Sequence, residues 1–203
     1  MTADQWIALV AGIVGGALRV GAPFLFVSLG ECLTEKSGRI NLGLEGVLVL
    51  SAMASFGGAY LTGSPWLGVL IGASAGALLA LLHGLLCSIE RVNDVATGIA
   101  LMLLGTGLAF YLGKPLIQPQ APQIPAIPLG DWSDNAAVRA ALQVNALVPV
   151  GILLALLMWW GFARTRAGLL VRLAGDSSSA ARALGYSVSG IRIAATTAGG
   201  FIA

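Results

Sequence analysis

Charge is what this chain has least of. Lysine, arginine, aspartate and glutamate make up 10% of its 203 residues and 57% are hydrophobic, where ordinary soluble domains carry roughly 25% charged residues. The net charge of +2 is too small to point to nucleic acid. There is one histidine, His83, and the two cysteines, Cys32 and Cys87, fall in no metal or redox spacing, so they read as small apolar packers. No Gly-x-x-x-x-Gly-Lys-Ser/Thr loop is present, which predicts that the chain does not itself bind ATP. With one histidine and no His-Glu-x-x-His pattern, an intramembrane enzyme is disfavoured. No catalytic, cofactor or metal site is expected. Residues 1–5 lack the positive stretch of a secretory signal, so no cleaved leader is expected either.

What is there is hydrocarbon. Segments 6–29, 42–61, 66–89, 95–112 and 144–162 have, or nearly have, the ~20 apolar residues a spanning helix needs. A sixth begins at Ile191 and stops at Ala203, too short to cross. The expectation is an all-α, polytopic integral membrane protein: about five complete transmembrane helices plus the start of a sixth. Residues 1–203 then form a single permease or channel domain that lacks its C-terminal helices.

Orientation follows from the basic residues. If 164–192 is cytoplasmic, the loops at 30–41 and 90–94 share its side. Lys36, Arg39, Arg91, Arg164, Arg166, Arg172, Arg182 and Arg192 are then inside, against Lys114 and Arg139 outside. That bias predicts an extracytoplasmic N-terminus. Trp159 and Trp160 suit an aromatic belt at the inner interface. The loop 113–143 is extracytoplasmic on this reading, and Pro119, Pro122, Pro125 and Pro128 recur at the period of a stiff polyproline II segment. After it, 131–134 is expected to cap a short stretch at 135–143.

Two patterns stand out within the segments. Gly68, Gly72, Gly76, Ala80, Gly84 and Ser88 recur every four residues, a small-residue stripe that lets a neighbouring backbone approach closely; His83 beside it reads as a packing residue. Polar groups in or beside the apolar segments are candidates for function because lipid offers them no partner. They are Arg19, Asn41 and Glu45 at the start of the second segment, and Asn93, Asp94 and Thr97 at the start of the fourth. Asn41, Glu45, Asn93 and Thr97 are the candidates for a translocation pathway. Gly43 and Gly46 weaken the start of the second helix, where a broken backbone could face a cavity.

The connector 163–190 is the most polar part of the chain. Within it, 174–185 reads as a short helix with Asp176 or Ser177 as N-cap, small residues through its body and Gly185 just past its end. About two turns cannot stand alone in water, so it needs a surface to lie on.

At this point the residues carry a resemblance. Glu35-Lys36-Ser37-Gly38-Arg39-Ile40-Asn41-Leu42-Gly43-Leu44-Glu45-Gly46, then Arg91-Val92-Asn93-Asp94-Val95-Ala96-Thr97-Gly98, then Arg164-Thr165-Arg166-Ala167-Gly168-Leu169, resemble permease subunits of bacterial ABC importers. The match is to the nucleoside-type members of a group that also serves simple sugars and branched-chain amino acids. The resemblance implies a multi-pass permease of the bacterial plasma membrane, paired with a second permease subunit, a cytoplasmic ABC ATPase and an extracytoplasmic solute-binding protein. It also implies that Gly175, Asp176, Ala180, Ala181, Leu184 and Gly185 belong to the loop that meets the ATPase, with ATP hydrolysis on that separate partner. Ser177-Ser178 depart from the Asn-Pro usual there. The sequence leaves open nucleoside, sugar or branched-chain amino acid as the solute, and a membrane scaffold without transport as another class.

Overall fold

The computed structural model describes residues 3–203. In chain order the elements are α1 (Ala3–Lys36), α2 (Leu44–Thr62), α3 (Pro65–Leu86), α4 (Asp94–Gly113), a 3-10 turn (Lys114–Leu116), β1 (Ala126–Pro128), α5 (Ala136–Ala141), β2 (Gln143–Asn145), α6 (Leu147–Arg164), α7 (Arg166–Asp176), α8 (Ser178–Ala183) and α9 (Val188–Ile202). Helices α1, α2, α3, α4 and α6 are long and apolar enough to cross a membrane, and α9 is a shorter apolar helix. The five expected segments are therefore the five long helices.

The boundaries differ where hydropathy and helix formation part company. Helix α1 runs on from the apolar segment through Glu31, Leu33, Glu35 and Lys36, all good helix formers, and stops where Gly38 turns with φ +85°. Helix α3 ends at Leu86, short of Ile89, in a series of turns that includes Arg91 at φ +71°. Helix α6 starts at Leu147 because Val144 belongs to β2 and the Asn145 side chain accepts from the Leu147 N–H at 2.9 Å.

Contacts divide the chain into two compact units. The first is Met1–Leu25 with Gln123–Leu156. Here β1 pairs antiparallel with β2, Ile127 opposite Val144, so of the four prolines in the proline-rich loop Pro128 lies in strand. The short helix α5 is capped by Asn135, whose side chain accepts from the Ala137 N–H at 2.9 Å, rather than by 131–134, which lie in turns. Asn135 wins because it is the residue immediately before the first helical one. Arg19 reaches this element from α1: Nε donates to the Gln143 carbonyl at 3.0 Å and Nη2 to the Ala140 carbonyl at 2.9 Å. The last carbonyls of a helix lack intrahelical donors and carry its negative end, so a cation there is well placed.

The second unit is Phe26–Pro122 with Leu157–Ala203. The glycine stripe organises it. A Cβ on Gly68 would lie 2.6 Å from the Ser55 carbonyl, and one on Gly72 would lie 2.7 Å from that of Ser51, so α3 meets α2 backbone to backbone. Further along, a Cβ on Gly84 would lie 3.2 Å from Ile193 Cα in α9, and one on Gly200 would run into Ala80. The change of partner follows from geometry. Four-residue steps on a helix of 3.6 residues per turn drift by about 40° each, so the stripe rotates roughly 160° from Gly68 to Gly84. It serves α2 first and α9 afterwards. Helix α9 also meets α1, where a Cβ on Gly199 would lie 2.6 Å from Thr34 Oγ1. Val47, Leu79 and Leu101 form the small apolar centre of α2, α3 and α4. Leu61, Leu78, Leu103 and Phe110 are among the large apolar side chains left exposed, as lipid-facing positions require.

Candidate functional site

Three connectors of the second unit, 37–43, 87–93 and the α7–α8 segment, come together at one end of its helices. The Asn41–Gly46 block is packed, not open. Asn41 is buried, 3% exposed; its Oδ1 accepts from the Gly43 N–H at 2.9 Å, and its own N–H donates to Glu31 Oε1 at 3.2 Å. A Cβ on Gly43 would lie 2.9 Å from the Gly98 carbonyl, and one on Gly46 would lie 2.6 Å from Met102 Cα. The two glycines thus seat the start of α2 on α4. Gly46 sits inside regular helix, so the backbone there does not break towards a cavity.

Beside this block, Arg39 Nη1 pairs with Asp94 Oδ1 at 2.8 Å, tying the α1–α2 connector to the first residue of α4. Both side chains are largely buried, 11% and 21% exposed. His83 is buried on α3 with Nε2 3.3 Å from the Asp94 carbonyl and 3.6 Å from Cys87 Sγ. His83 is thus a packing residue that also pins α3 to the start of α4. Cys87 is buried and free, whereas Cys32 is exposed.

The four pathway candidates separate. Asn41 is enclosed by its own connector, and Asn93 is the N-cap of α4, accepting from the Ala96 N–H at 3.0 Å. Thr97 is half-buried and immediately precedes Gly98, the glycine that receives Gly43, while Glu45 is exposed in the first turn of α2. Thr97 and Asn93 are joined by the first helical bond of α4, Thr97 N–H to the Asn93 carbonyl at 3.0 Å, which is local to that helix and brings neither residue to Asn41 or Glu45.

The α7–α8 segment holds a helix the sequence reading overlooked. Helix α7 is capped by Thr165, whose hydroxyl accepts from the Gly168 N–H at 3.0 Å. Leu169, Leu170 and Leu173 at helical spacing, with Arg166 and Arg172 among them, were the available signal. Asp176 is the last residue of α7 and exposed; Ser177 alone caps α8. Gly175 is covered, since a Cβ on it would lie 3.1 Å from Gly38 N. Ala181 is fully buried against Ala174 and Val188, so α7, α8 and the start of α9 form one packed block. Its outward groups are Leu184, 67% exposed, and Gly185, at φ +84° with open space around it. Ala180 is half-buried. The six coupling candidates therefore divide into an inner set, Gly175 and Ala181, and an outer set, Asp176, Leu184 and Gly185, with Ala180 between them.

Arg192, the fifth cation of this stretch, holds the block to the helices. Its Nε donates to the Ser37 carbonyl and its Nη2 to the Ala174 carbonyl, each at 3.1 Å. A groove of about 580 Å³ lies alongside, lined by Glu31, Glu35 and Lys36 of α1 and by Gly175 and Asp176 of α7. Another, of about 660 Å³, is lined by Tyr60, Lys114 and Gln118.

One string of letters needs a structural answer. Gly72-Ala73-Ser74-Ala75-Gly76 fits the Gly-x-Ser-x-Gly pattern of serine hydrolases, but that pattern works on a strained turn between strand and helix. Here Ser74 is in the middle of α3 and donates to the Leu70 carbonyl one turn back at 2.7 Å. Its flanking glycines are packing surfaces.

These features define a multi-pass, all-helical membrane protein with a packed helical block between spanning helix α6 and apolar helix α9. Residues 12–203 match the family described as branched-chain amino acid transport system / permease component, and the chain belongs to it. It is 29% identical over 199 residues to a putative glucose ABC transporter permease protein of Haloferax volcanii, covering 96% of this chain and 60% of the relative. It is also 29% identical to the nucleoside ABC transporter permease protein NupC of Lactococcus lactis, covering 94% of this chain and 64% of the relative. The guanosine ABC transporter permease protein NupQ of Bacillus subtilis is again 29% identical, covering 92% and 62%. The chain spans about three-fifths of the length of these curated relatives. No solved structure matches it.

Proposed function

We propose that this chain is the permease subunit of an ATP-driven ABC importer that brings nucleosides, or a related small polar solute, into the cell. The observation that carries the reading is the α7–α8 block. A membrane protein gains nothing from folding six- and eleven-residue helices in a connector unless they meet something, because elements this short are marginal alone. The block buries Ala174 and Ala181 inward and leaves Leu184 outward, an apolar group suited to a groove on a partner. On this reading the partner is a cytoplasmic ABC ATPase, the N-terminus is extracytoplasmic, and a second permease subunit and a solute-binding protein complete the assembly. Residues 1–203 act as one membrane domain, 163–190 is the cytoplasmic coupling loop, and 113–143 is the extracytoplasmic loop where the solute-binding protein docks.

The nucleoside assignment rests on the two relatives whose names carry nucleoside or guanosine transport. The relative named for glucose, at equal identity, supports simple sugars as a second reading. Uptake of labelled nucleosides, glucose and branched-chain amino acids should be compared in cells with and without the intact gene, before and after ATP depletion. Loss of ATP-dependent nucleoside uptake on deletion is the expected result. Loss of glucose uptake alone would move the substrate to sugars, and unchanged uptake of all three would refute the transport reading.

A further inference from the structure

We infer that Arg192 is the strut through which the α7–α8 block transmits force to the spanning helices, positioning them rather than touching solute or nucleotide. The inference rests on the importer reading above. Three observations converge on it. First, one guanidinium joins three helices: it projects from α9, donates through Nε to Ser37 just past the end of α1, and donates through Nη2 to Ala174 in the last turn of α7. Both acceptors lie at helix C-termini, where carbonyls lack internal donors and the helix dipole favours a cation. The fork geometry of arginine lets one rigid plane hold two such ends at a fixed separation, whereas a lysine offers a single nitrogen on a flexible stem.

Second, the chain has cleared space for this contact. Gly38 adopts φ +85°, and a Cβ on it would lie 2.9 Å from Arg192 Nη2 and 2.9 Å from Gly175 Cα. The ends of α1 and α7 therefore touch through backbone, with no flexible side chain between them to absorb a displacement. Third, what lies on either side is stiff. Ala174, Ala181 and Val188 pack α7, α8 and the root of α9 into one body. Beyond Arg192, α9 meets α1 through Gly30 and Gly199 and meets α3 through Gly76 and Gly200, again backbone against backbone. A push on the outer face of α8 can thus reach α1 through the end of α7 and reach α3 through the root of α9, and Arg192 is the polar fastening between the two.

The test uses the full-length permease assembled with its ATPase and solute-binding protein in proteoliposomes, comparing wild type, R192K and R192A. The readout is ATP hydrolysed per solute moved, measured with the KM for ATP and the yield of assembled complex. For R192A, ATP consumed per solute should rise at least about fivefold, with KM for ATP and assembly unchanged. R192K, which keeps the charge but presents it from one nitrogen on a flexible stem, should fall between R192A and wild type. A wild-type ratio in R192A refutes the strut, and so does an equal fall in hydrolysis and transport that leaves the ratio fixed. If neither variant assembles, Arg192 is a folding contact and the inference falls. A wild-type complex that moves no solute on ATP hydrolysis refutes the importer reading itself, whatever the variants do.

Discussion

Placing one methyl group on Gly46 should force α2 off α4. The new Cβ would sit 2.6 Å from Met102 Cα and 2.8 and 2.9 Å from the Met102 and Leu101 carbonyl oxygens. Carbon atoms prefer about 3.5–4.0 Å, so the shortfall is roughly 1 Å, and every obstructing atom is backbone that cannot rotate aside. Opening the interface by that much forfeits about a quarter to a half of the attraction in each contact pair, and overpacking of this kind costs about 1–3 kcal/mol. Alanine also gains about 1 kcal/mol over glycine in a helix interior, so the net loss for Gly46→Ala is about 0–2 kcal/mol. Gly107 in α4, with nothing within 4 Å of its Cβ position, isolates the second effect: Gly107→Ala should receive the propensity gain with no collision. The difference between the two variants is then the collision alone. In the purified protein in detergent, followed by loss of the monodisperse peak after heating, it corresponds to roughly 2–12 °C of Tm. Equal Tm shifts for Gly46→Ala and Gly107→Ala would show that the Asn41–Gly46 block does not pack as described and would reopen a cavity-lining role for it.

Orientation is accessible to labelling: a membrane-impermeant thiol reagent should modify a cysteine introduced at Gln123 and spare one at Ser178, and the reverse pattern would overturn both the topology and the ATPase contact. Leu184→Asp should weaken co-purification of the ATPase with little change in Tm, since the side chain is 67% exposed. Ala181→Arg, at a fully buried position, should instead lower Tm by burying a charge; an unchanged Tm would contradict the packed block. Glu45→Gln should alter transport kinetics while leaving the complex assembled, and unchanged kinetics would return Glu45 to the status of a charge favouring the positive end of α2.

The spanning helices were legible because length and apolarity alone define them, and the glycine stripe was legible because a four-residue repeat has one geometric meaning on a helix. What hydropathy could not reveal was anything depending on partners distant in sequence. Arg19 read as a costly intramembrane cation, yet its acceptors are carbonyls more than a hundred residues away. Gly43 and Gly46 read as helix weakeners, because close approach to Gly98 and Met102 is visible only once α2 lies on α4. Helix α7 was missed for a different reason: its arginines made the stretch read as a polar loop, although its leucines kept helical spacing. In the stretch 174–185 the cap Ser177 and the closing Gly185 were legible from local rules. The burial of Ala181 was not, since a small residue suits close approach on either face and only Val188, seven residues on, decides which.

The pair Arg39–Asp94 offers the clearest separation of structure from pathway at this end of the molecule. Breaking a largely buried ion pair by removing one partner strands the other charge and costs about 3–5 kcal/mol. With the two side chains 11% and 21% exposed, water softens that figure towards its lower end. Asp94→Asn keeps the size of the side chain and the backbone carbonyl that His83 faces, so its loss is confined to the carboxylate. That loss includes roughly 0.3–1 kcal/mol from removing a negative charge in the first turn of α4. Arg39→Met keeps the stem and removes the guanidinium, leaving Asp94 partly buried without its counter-ion. Each single variant should therefore lower stability markedly. The double variant, with neither charge stranded, should be less destabilised than the two losses added, by a coupling of about 1–3 kcal/mol. Additive losses would mean that the 2.8 Å contact contributes nothing as a pair. In that case Arg39 and Asp94, two charges set beside buried Asn41 and His83, would become the first places to look for the solute.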